Sequence, residues 1–246
     1  MALSAKDRLI RVQIKIERAK QHLLEFDGLA KSFQEAYREI VVSNVDFTGG
    51  PLQMFGGALD IRRYPVASFK LLAVAGDIVQ NLRSALDHLA YQLAEVGTPG
   101  ATPSEWVAFP IVRDAKDYES AKARKVQGMT PEAIKAIDAL KPYKGGNDEL
   151  WRLHELSNID KHRFAFTLFR DGLFLGDGFE GHYWLRTQEP LFDGIMHPEV
   201  NGNAGLSSSE TMSPSKVGKA QPLLPFLHQI VDFVDALVND FLPHLG

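Results

Sequence analysis

Apolar residues recur every three or four positions in four segments of the chain, which predicts four amphipathic helices. The longest pattern has ten matching positions and predicts a helix over residues 4–42. Similar patterns predict helices over residues 68–96, 147–160 and 222–242. Each helix has an apolar stripe to bury, and four such stripes packed against one another form a helical bundle.

The segments between these helices have other patterns. Residues 44–64 alternate in polarity and contain glycine pairs, which predicts a hairpin, and residues 163–188 are rich in aromatic and apolar residues, which predicts short strands. Thr130 followed by Pro131 predicts a short helix that begins there. The sequence therefore predicts an α+β fold that is mainly α. We expect a bundle of four main helices with an inserted β hairpin or small sheet, in a single domain over residues 1–246.

Composition limits the kinds of function that the chain can have. Its 246 residues include 45% hydrophobic and 24% charged residues, as globular proteins do. The chain has no cysteine, which excludes disulfides and thiolate metal sites. The net charge of −4 means that any contact with nucleic acid must use a local basic patch. No signal-peptide pattern and no membrane-spanning apolar run are visible, so we expect a cytoplasmic protein without membrane contact.

One face of the second predicted helix carries a polar ridge. At about 100° per residue the ridge residues fall within about 60° of one another, roughly opposite the apolar seam. They are Asp77, Asn81, Ser84 and His88. His88 is therefore expected to face solvent, a cleft or a partner. Arg83 lies roughly 140° round the helix from His88, but its long side chain can reach toward the same groove.

An arginine and a histidine are a workable pair for cutting RNA without a metal ion. Free histidine has a pKa of about 6.5, so an imidazole such as that of His88 can exchange the proton of a 2′-hydroxyl. Arg83 can hold the scissile phosphate and the charge that builds on it. Asp87 lies one turn beyond Arg83 and can steady its guanidinium, and Asn81 would help to orient the pair.

The run Arg83-Ser-Ala-Leu-Asp-His88 resembles the Arg-x4-His motif of the HEPN superfamily, helical-bundle proteins that include many toxin and antiviral ribonucleases. As in that family, the motif lies near the middle of a long helix. The resemblance implies a metal-independent endoribonuclease that acts as a homodimer, in which two motifs form one composite site. It also implies a role in a toxin–antitoxin or phage-defence system. Many family members have Asn, Asp or His directly after the arginine, whereas this chain has Ser84.

A second polar cluster lies at the end of the third predicted helix. His154 and Asn158 are one turn apart and share a face, which His162 would extend if the helix continued. Packed across from the Arg-x4-His motif, this face would complete one polar cleft. His154 would then help to orient the catalytic pair, and the substrate-binding residues would be Asn158, Lys161, His162 and Arg163.

Other interpretations of the same residues remain open. In a non-enzymatic binding or assembly module they would form a structural network between helices. A metal-dependent hydrolase would use His154, Glu155, Asp160 and His162, but Asn158 stands where the His-Glu-x-x-His pattern requires histidine, so we predict no metal. No glycine-rich phosphate loop is present, so we expect no cofactor. Basic residues in the first helix and between residues 116 and 144 are either phosphate contacts or solvated surface.

Overall fold

The computed structural model of the protein describes the backbone of residues 3–44, 65–162, 167–175, 178–186 and 223–246, and the side chains of residues 3–32, 70–161 and 223–246. The helices in these ranges are α1 (Ala5–Asn44), α2 (Pro65–Gly97), α3 (Tyr118–Lys125), α4 (Pro131–Ala139), α5 (Asp148–His162) and α6 (Leu223–Asp240). The strands are β1 (Thr167–Leu175) and β2 (Gly178–Arg186). Short 3-10 turns occupy Ala115–Asp117 and Leu242–His244.

Helix α2 is the centre of the bundle and packs against α1, α5 and α6. Its leucine stripe is fully buried and meets apolar stripes of the other helices; the stripe consists of Leu82, Leu86, Leu89 and Leu93. Full burial of one such side chain contributes roughly 1.5–3 kcal/mol, so this seam contributes substantially to stability. Helices α1, α2, α5 and α6 lie where the apolar periodicity predicted helices, with every end within three residues of the expected position.

The predicted α+β class is wrong, because the described body of the protein is mainly helical. Helix, with the two 3-10 turns included, accounts for 76% of the residues whose side chains the structure describes, and none of those residues lies in a strand. Strands β1 and β2 form one antiparallel pair, with Thr167 opposite Arg186, and only their backbone is described. The hairpin expected over residues 44–64 lies outside the described residues. The prediction rested on turn signals in the insertions, whereas fold class follows from the elements that form the core.

Two short helices follow the long loop after α2. Helix α4 begins as predicted: Thr130 caps it by accepting a hydrogen bond from the backbone N–H of Ala133 at 3.2 Å, and Pro131 is its first residue. Helix α3 was not predicted, since its eight residues are too few and too charged to show a periodic stripe. It is held on α4 by tertiary contacts, in which the Lys122 ammonium lies 2.9 Å from the Asp138 carboxylate.

Helices α1 and α2 have 40 and 33 residues, which exceeds the length needed to span a bilayer. Both carry charged side chains that are exposed along their length, among them Lys6, Glu17 and Lys31 in α1 and Lys70 and Asp77 in α2. Within the described ranges, no helix combines the length and the apolar character that crossing a membrane requires.

Candidate functional site

The guanidinium of Arg83 is buried in a clamp between α2 and the loop that follows it. It donates to Oδ1 of Asp87 at 2.7 Å and to the carbonyl oxygen of Phe109 at 3.0 Å. The backbone N–H of Phe109 donates to the same Asp87 oxygen at 3.0 Å. Because Arg83 is only 6% exposed, these charge-assisted hydrogen bonds hold the loop firmly on the helix. Asp87 thus steadies the guanidinium as the sequence predicted. We call these three residues the Arg83 clamp.

A polar cleft of about 400 Å³ opens beside the Arg83 clamp, between α1, α2 and α5. Its charged lining is Lys15, Arg83, Asp87 and Lys161, and its neutral polar lining is Gln80, Asn81 and Ser84. Three cations therefore face one carboxylate, and that carboxylate is already paired with Arg83. This balance gives the cleft a positive potential, which favours an anionic ligand.

The polar ridge of α2 lies outside the core as predicted, but it does not bring His88 to Arg83. His88 is exposed and is not part of the lining of the polar cleft. Asn81 does line the cleft, and its side-chain amide donates to the carbonyl oxygen of Asp77, one turn back, at 2.8 Å. Within one chain, therefore, Arg83 and His88 have different surroundings.

The imidazole that shares the electrostatic surroundings of Arg83 is His154 on α5. Burial lowers the pKa of His154 to about 3, and the positive charges of Arg83, Lys125 and Lys161 act in the same direction. Its Nε2 lies 3.2 Å from the side-chain amide nitrogen of Asn158, which donates to it. Nδ1 then carries the proton, and it is buried without a hydrogen-bond partner among the described residues. His154 is therefore neutral at physiological pH.

A polar network joins α2 to α5, but through Gln80 and Ser157, which the sequence did not indicate. The side-chain amide of Gln80 donates to the Ser157 carbonyl oxygen and to Oδ2 of Asp160, both at 2.9 Å. The Ser157 hydroxyl donates back to Oε1 of Gln80 at 3.2 Å, and Ser157 is fully buried. A Cβ at Gly76 would lie 2.4 Å from Asp160, so glycine allows this close approach. A glycine within a helical pattern was the available signal.

Of the remaining predicted site residues, the structure describes the side chains of two and not those of the other two. Lys161 is exposed at the edge of the polar cleft, and Asn158 faces His154. The side chain of His162, the last residue of α5, and all of Arg163 lie outside the described residues. Among the described side chains, no group of three or more histidine or acidic residues could hold a metal ion. The alternative metal set therefore gains no support from the described part of the chain.

Several basic residues that could have contacted phosphates have partners within the fold instead. Three of them form ion pairs: Arg8 with Glu95, Lys20 with Asp235 at 2.8 Å, and Lys122 with Asp138 at 2.9 Å. Two others make cation–π contacts. Arg124 lies 4.6 Å from the ring centre of Trp106, and Lys144 lies 4.9 Å from the ring centre of Trp151. These contacts involve basic residues from the first helix and from residues 116–144, the two segments in which the sequence indicated possible phosphate contacts. The polar cleft, rather than a basic helix surface, is thus the better candidate for an anion site.

Comparison with protein-family models, with curated proteins and with solved structures finds no match to this chain. The resemblance to the HEPN superfamily therefore stays a prediction from the motif Arg83–His88. Any function has to be argued from the geometry and charge of the polar cleft itself.

Proposed function

We propose that this protein binds single-stranded RNA through the polar cleft and cuts it without a metal ion as a homodimer, as the HEPN resemblance implies. One observation carries the proposal. The cleft presents the cations Lys15, Arg83 and Lys161 against a single carboxylate, Asp87, which Arg83 already occupies. A phosphodiester would supply the missing negative charge, and phosphate contacts from lysine and arginine dominate affinity for nucleic acids.

Arg83 is suited to bind a phosphate because the clamp fixes its orientation in advance. A guanidinium has five N–H donors, and the bonds to Asp87 and Phe109 leave others for a ligand in the cleft. Lys15 and Lys161 approach from α1 and α5, so three different helices surround the bound phosphate. A fixed guanidinium stabilises developing negative charge without reorganising during the reaction.

Cutting requires an imidazole, and His88 does not line the cleft of its own chain. We therefore assign the proton transfers to the His88 residues of two copies. The 2′-oxygen of the RNA bonds to phosphorus as the bond to the 5′-oxygen breaks. One imidazole takes the proton of the 2′-hydroxyl, and the other, protonated, gives a proton to the leaving 5′-oxygen. The products are a 2′,3′-cyclic phosphate and a 5′-hydroxyl.

Binding is tested by fluorescence anisotropy with a labelled single-stranded RNA over a series of salt concentrations. The Lys15→Ala/Lys161→Ala double variant is expected to bind more weakly. Its slope of log affinity against log salt should fall by about 1.4, since each lost phosphate contact on a single strand removes about 0.7. Lys135→Ala is the matched control, because Lys135 is exposed on α4 and does not line the cleft. A double variant that binds like the parent would count against the cleft.

Cutting is tested with the dimeric parent and the His88→Ala variant in the presence of a chelator. Because His88 is exposed, its removal should leave the fold and RNA binding intact. Loss of general acid–base catalysis should slow cutting by about 10²- to 10⁴-fold. His228→Gln is the control, since His228 is an exposed histidine on α6. If a folded, dimeric parent binds RNA and leaves it intact, the enzymatic part of the proposal is wrong.

A second candidate is a non-enzymatic binding or assembly module in which the same polar residues are structural. The Arg83 clamp and the network of Gln80, Ser157 and Asp160 favour it, because both join elements of the bundle. Ser157→Ala removes the hydrogen bond that this fully buried serine donates to Gln80 and should cost about 1–3 kcal/mol. If Ser157→Ala loses this stability and the parent neither binds nor cuts RNA, the non-enzymatic module is the better candidate.

A further inference from the structure

We infer that Trp106, held by Arg124, is a stacking platform for a nucleobase of single-stranded RNA next to the polar cleft. The inference rests on the proposed RNA binding and adds a second contact of different chemistry. Aromatic rings and arginine planes stack on bases of any sequence, because every base has a π-face. The site would therefore take unpaired bases rather than duplex.

Trp106 is an apolar ring that the fold leaves largely in solvent. It is 53% exposed, although most large apolar side chains of the described bundle are buried. The Arg124 guanidinium lies 4.6 Å from the centre of the ring, which fixes the orientation of the indole by a cation–π contact. The pair therefore offers a ready-made, positively charged stacking surface.

The backbone under Trp106 is tied down on both sides. The N–H of Trp106 donates to the Ser104 hydroxyl at 3.3 Å, and the N–H of Val107 donates to the Ser104 carbonyl at 3.0 Å. The N–H of Ala108 then donates to the carbonyl oxygen of Lys125, at the end of α3, at 3.2 Å. A ring on a fixed loop loses little conformational entropy when it binds a ligand.

The loop connects this platform to the Arg83 clamp, of which Arg83 and Asp87 line the polar cleft. Phe109 belongs to the Arg83 clamp and lies three residues after Trp106, a distance of at most about 11 Å. Lys125 adds a further cation beside this loop, and burial together with the nearby positive charge of Arg83 lowers the pKa of its ammonium. We therefore assign the base on Trp106 and the phosphate in the cleft to the same RNA strand.

The protein-side test compares Trp106→Ala and Trp106→Phe with the parent by anisotropy, using a labelled ten-nucleotide RNA. Loss of one stacked base should weaken binding of Trp106→Ala by about 5- to 150-fold, whereas phenylalanine should restore most of it. The salt slope should not change, since no phosphate contact is lost; the Lys15→Ala/Lys161→Ala variant should change it. Tyr91→Ala, which removes an exposed aromatic residue on α2, is the control.

A ligand-side test changes the RNA, so its main comparison uses the parent protein alone. RNAs that carry one abasic position each are bound to the parent and to Trp106→Ala. One abasic position should weaken binding to the parent and have no effect on the variant. The platform is wrong if the parent binds every abasic RNA as tightly as the intact RNA and Trp106→Ala binds the intact RNA as tightly as the parent. The cleft proposal would then still stand. If the parent binds no single-stranded RNA, both proposals fail.

Discussion

Protonation of His154 should unfold this protein more readily at mildly acidic pH. In the folded chain burial and three nearby cations lower the pKa of His154 to about 3, from an ordinary value of 6.5. The folded state therefore excludes a proton that the unfolded chain accepts below pH 6.5. Stability falls as pH decreases from 6.5 to 3, because the unfolded state binds more protons throughout that interval.

The size of the effect follows from the pKa difference. Each pH unit below 6.5 costs about 1.4 kcal/mol until the folded imidazole also titrates. At pH 5, which is 1.5 units below the ordinary value, the loss should be about 2 kcal/mol. That is a large share of the roughly 5–15 kcal/mol by which domains are stable.

Urea unfolding at pH 7.5 and pH 5.0 measures this loss when the parent is compared with His154→Gln. Glutamine does not titrate, and its carbonyl can accept the hydrogen bond that the Asn158 amide gives to His154. The parent should lose about 2 kcal/mol more than the variant between the two pH values. His88→Gln, the removal of an exposed histidine, should keep the parental pH dependence. Equal pH dependence of parent and His154→Gln would refute the reasoning.

Three substitutions probe the packing, two of them at the candidate site and one in α1. Gly76→Ala should destabilise by about 1–3 kcal/mol, because its Cβ would lie 2.4 Å from Asp160, and urea midpoints will show it. Gly28→Ala should instead stabilise the folded protein by up to about 1 kcal/mol, since Gly28 lies inside α1 and a Cβ there would meet nothing within 4 Å. A melting temperature below that of the parent would contradict this. Asp87→Ala should cost about 2–3 kcal/mol by calorimetry, because buried Arg83 loses its carboxylate; an unchanged enthalpy and midpoint would disprove the role of the clamp.

Helices with long apolar stripes were predictable because their pattern repeats many times. Helix α1 follows a stripe of ten apolar positions, and α6 buries a stripe of the same kind. Helix α3, with eight residues, is too short for such a signal and depends on the contact between Lys122 and Asp138. The α+β class was wrong because local turn signals in the insertions say nothing about which elements form the core.

At the candidate site the sequence predicted contacts along one helix better than contacts between helices. The pairing of Arg83 with Asp87 follows from their spacing of four residues. Neither the Phe109 carbonyl nor the network between Gln80 and Ser157 could be predicted, since each joins residues that are far apart in sequence. The separation of His88 from the cleft also depends on side-chain direction, which helical spacing alone does not fix.

The position of Arg83 determines how the proposed function can be tested. A guanidinium stabilises charge on a phosphate best when its orientation is fixed in advance. The bonds to Asp87 and Phe109 fix the guanidinium of Arg83, and the same bonds hold the loop on α2. Any substitution of Arg83 therefore changes stability together with ligand binding, and loss of RNA cutting there would not identify a catalytic role. His88 is exposed and Lys161 lies at the rim of the cleft, so the fold depends little on either. Effects on catalysis or binding can be separated from effects on stability only at such positions, where the side chain takes little part in packing.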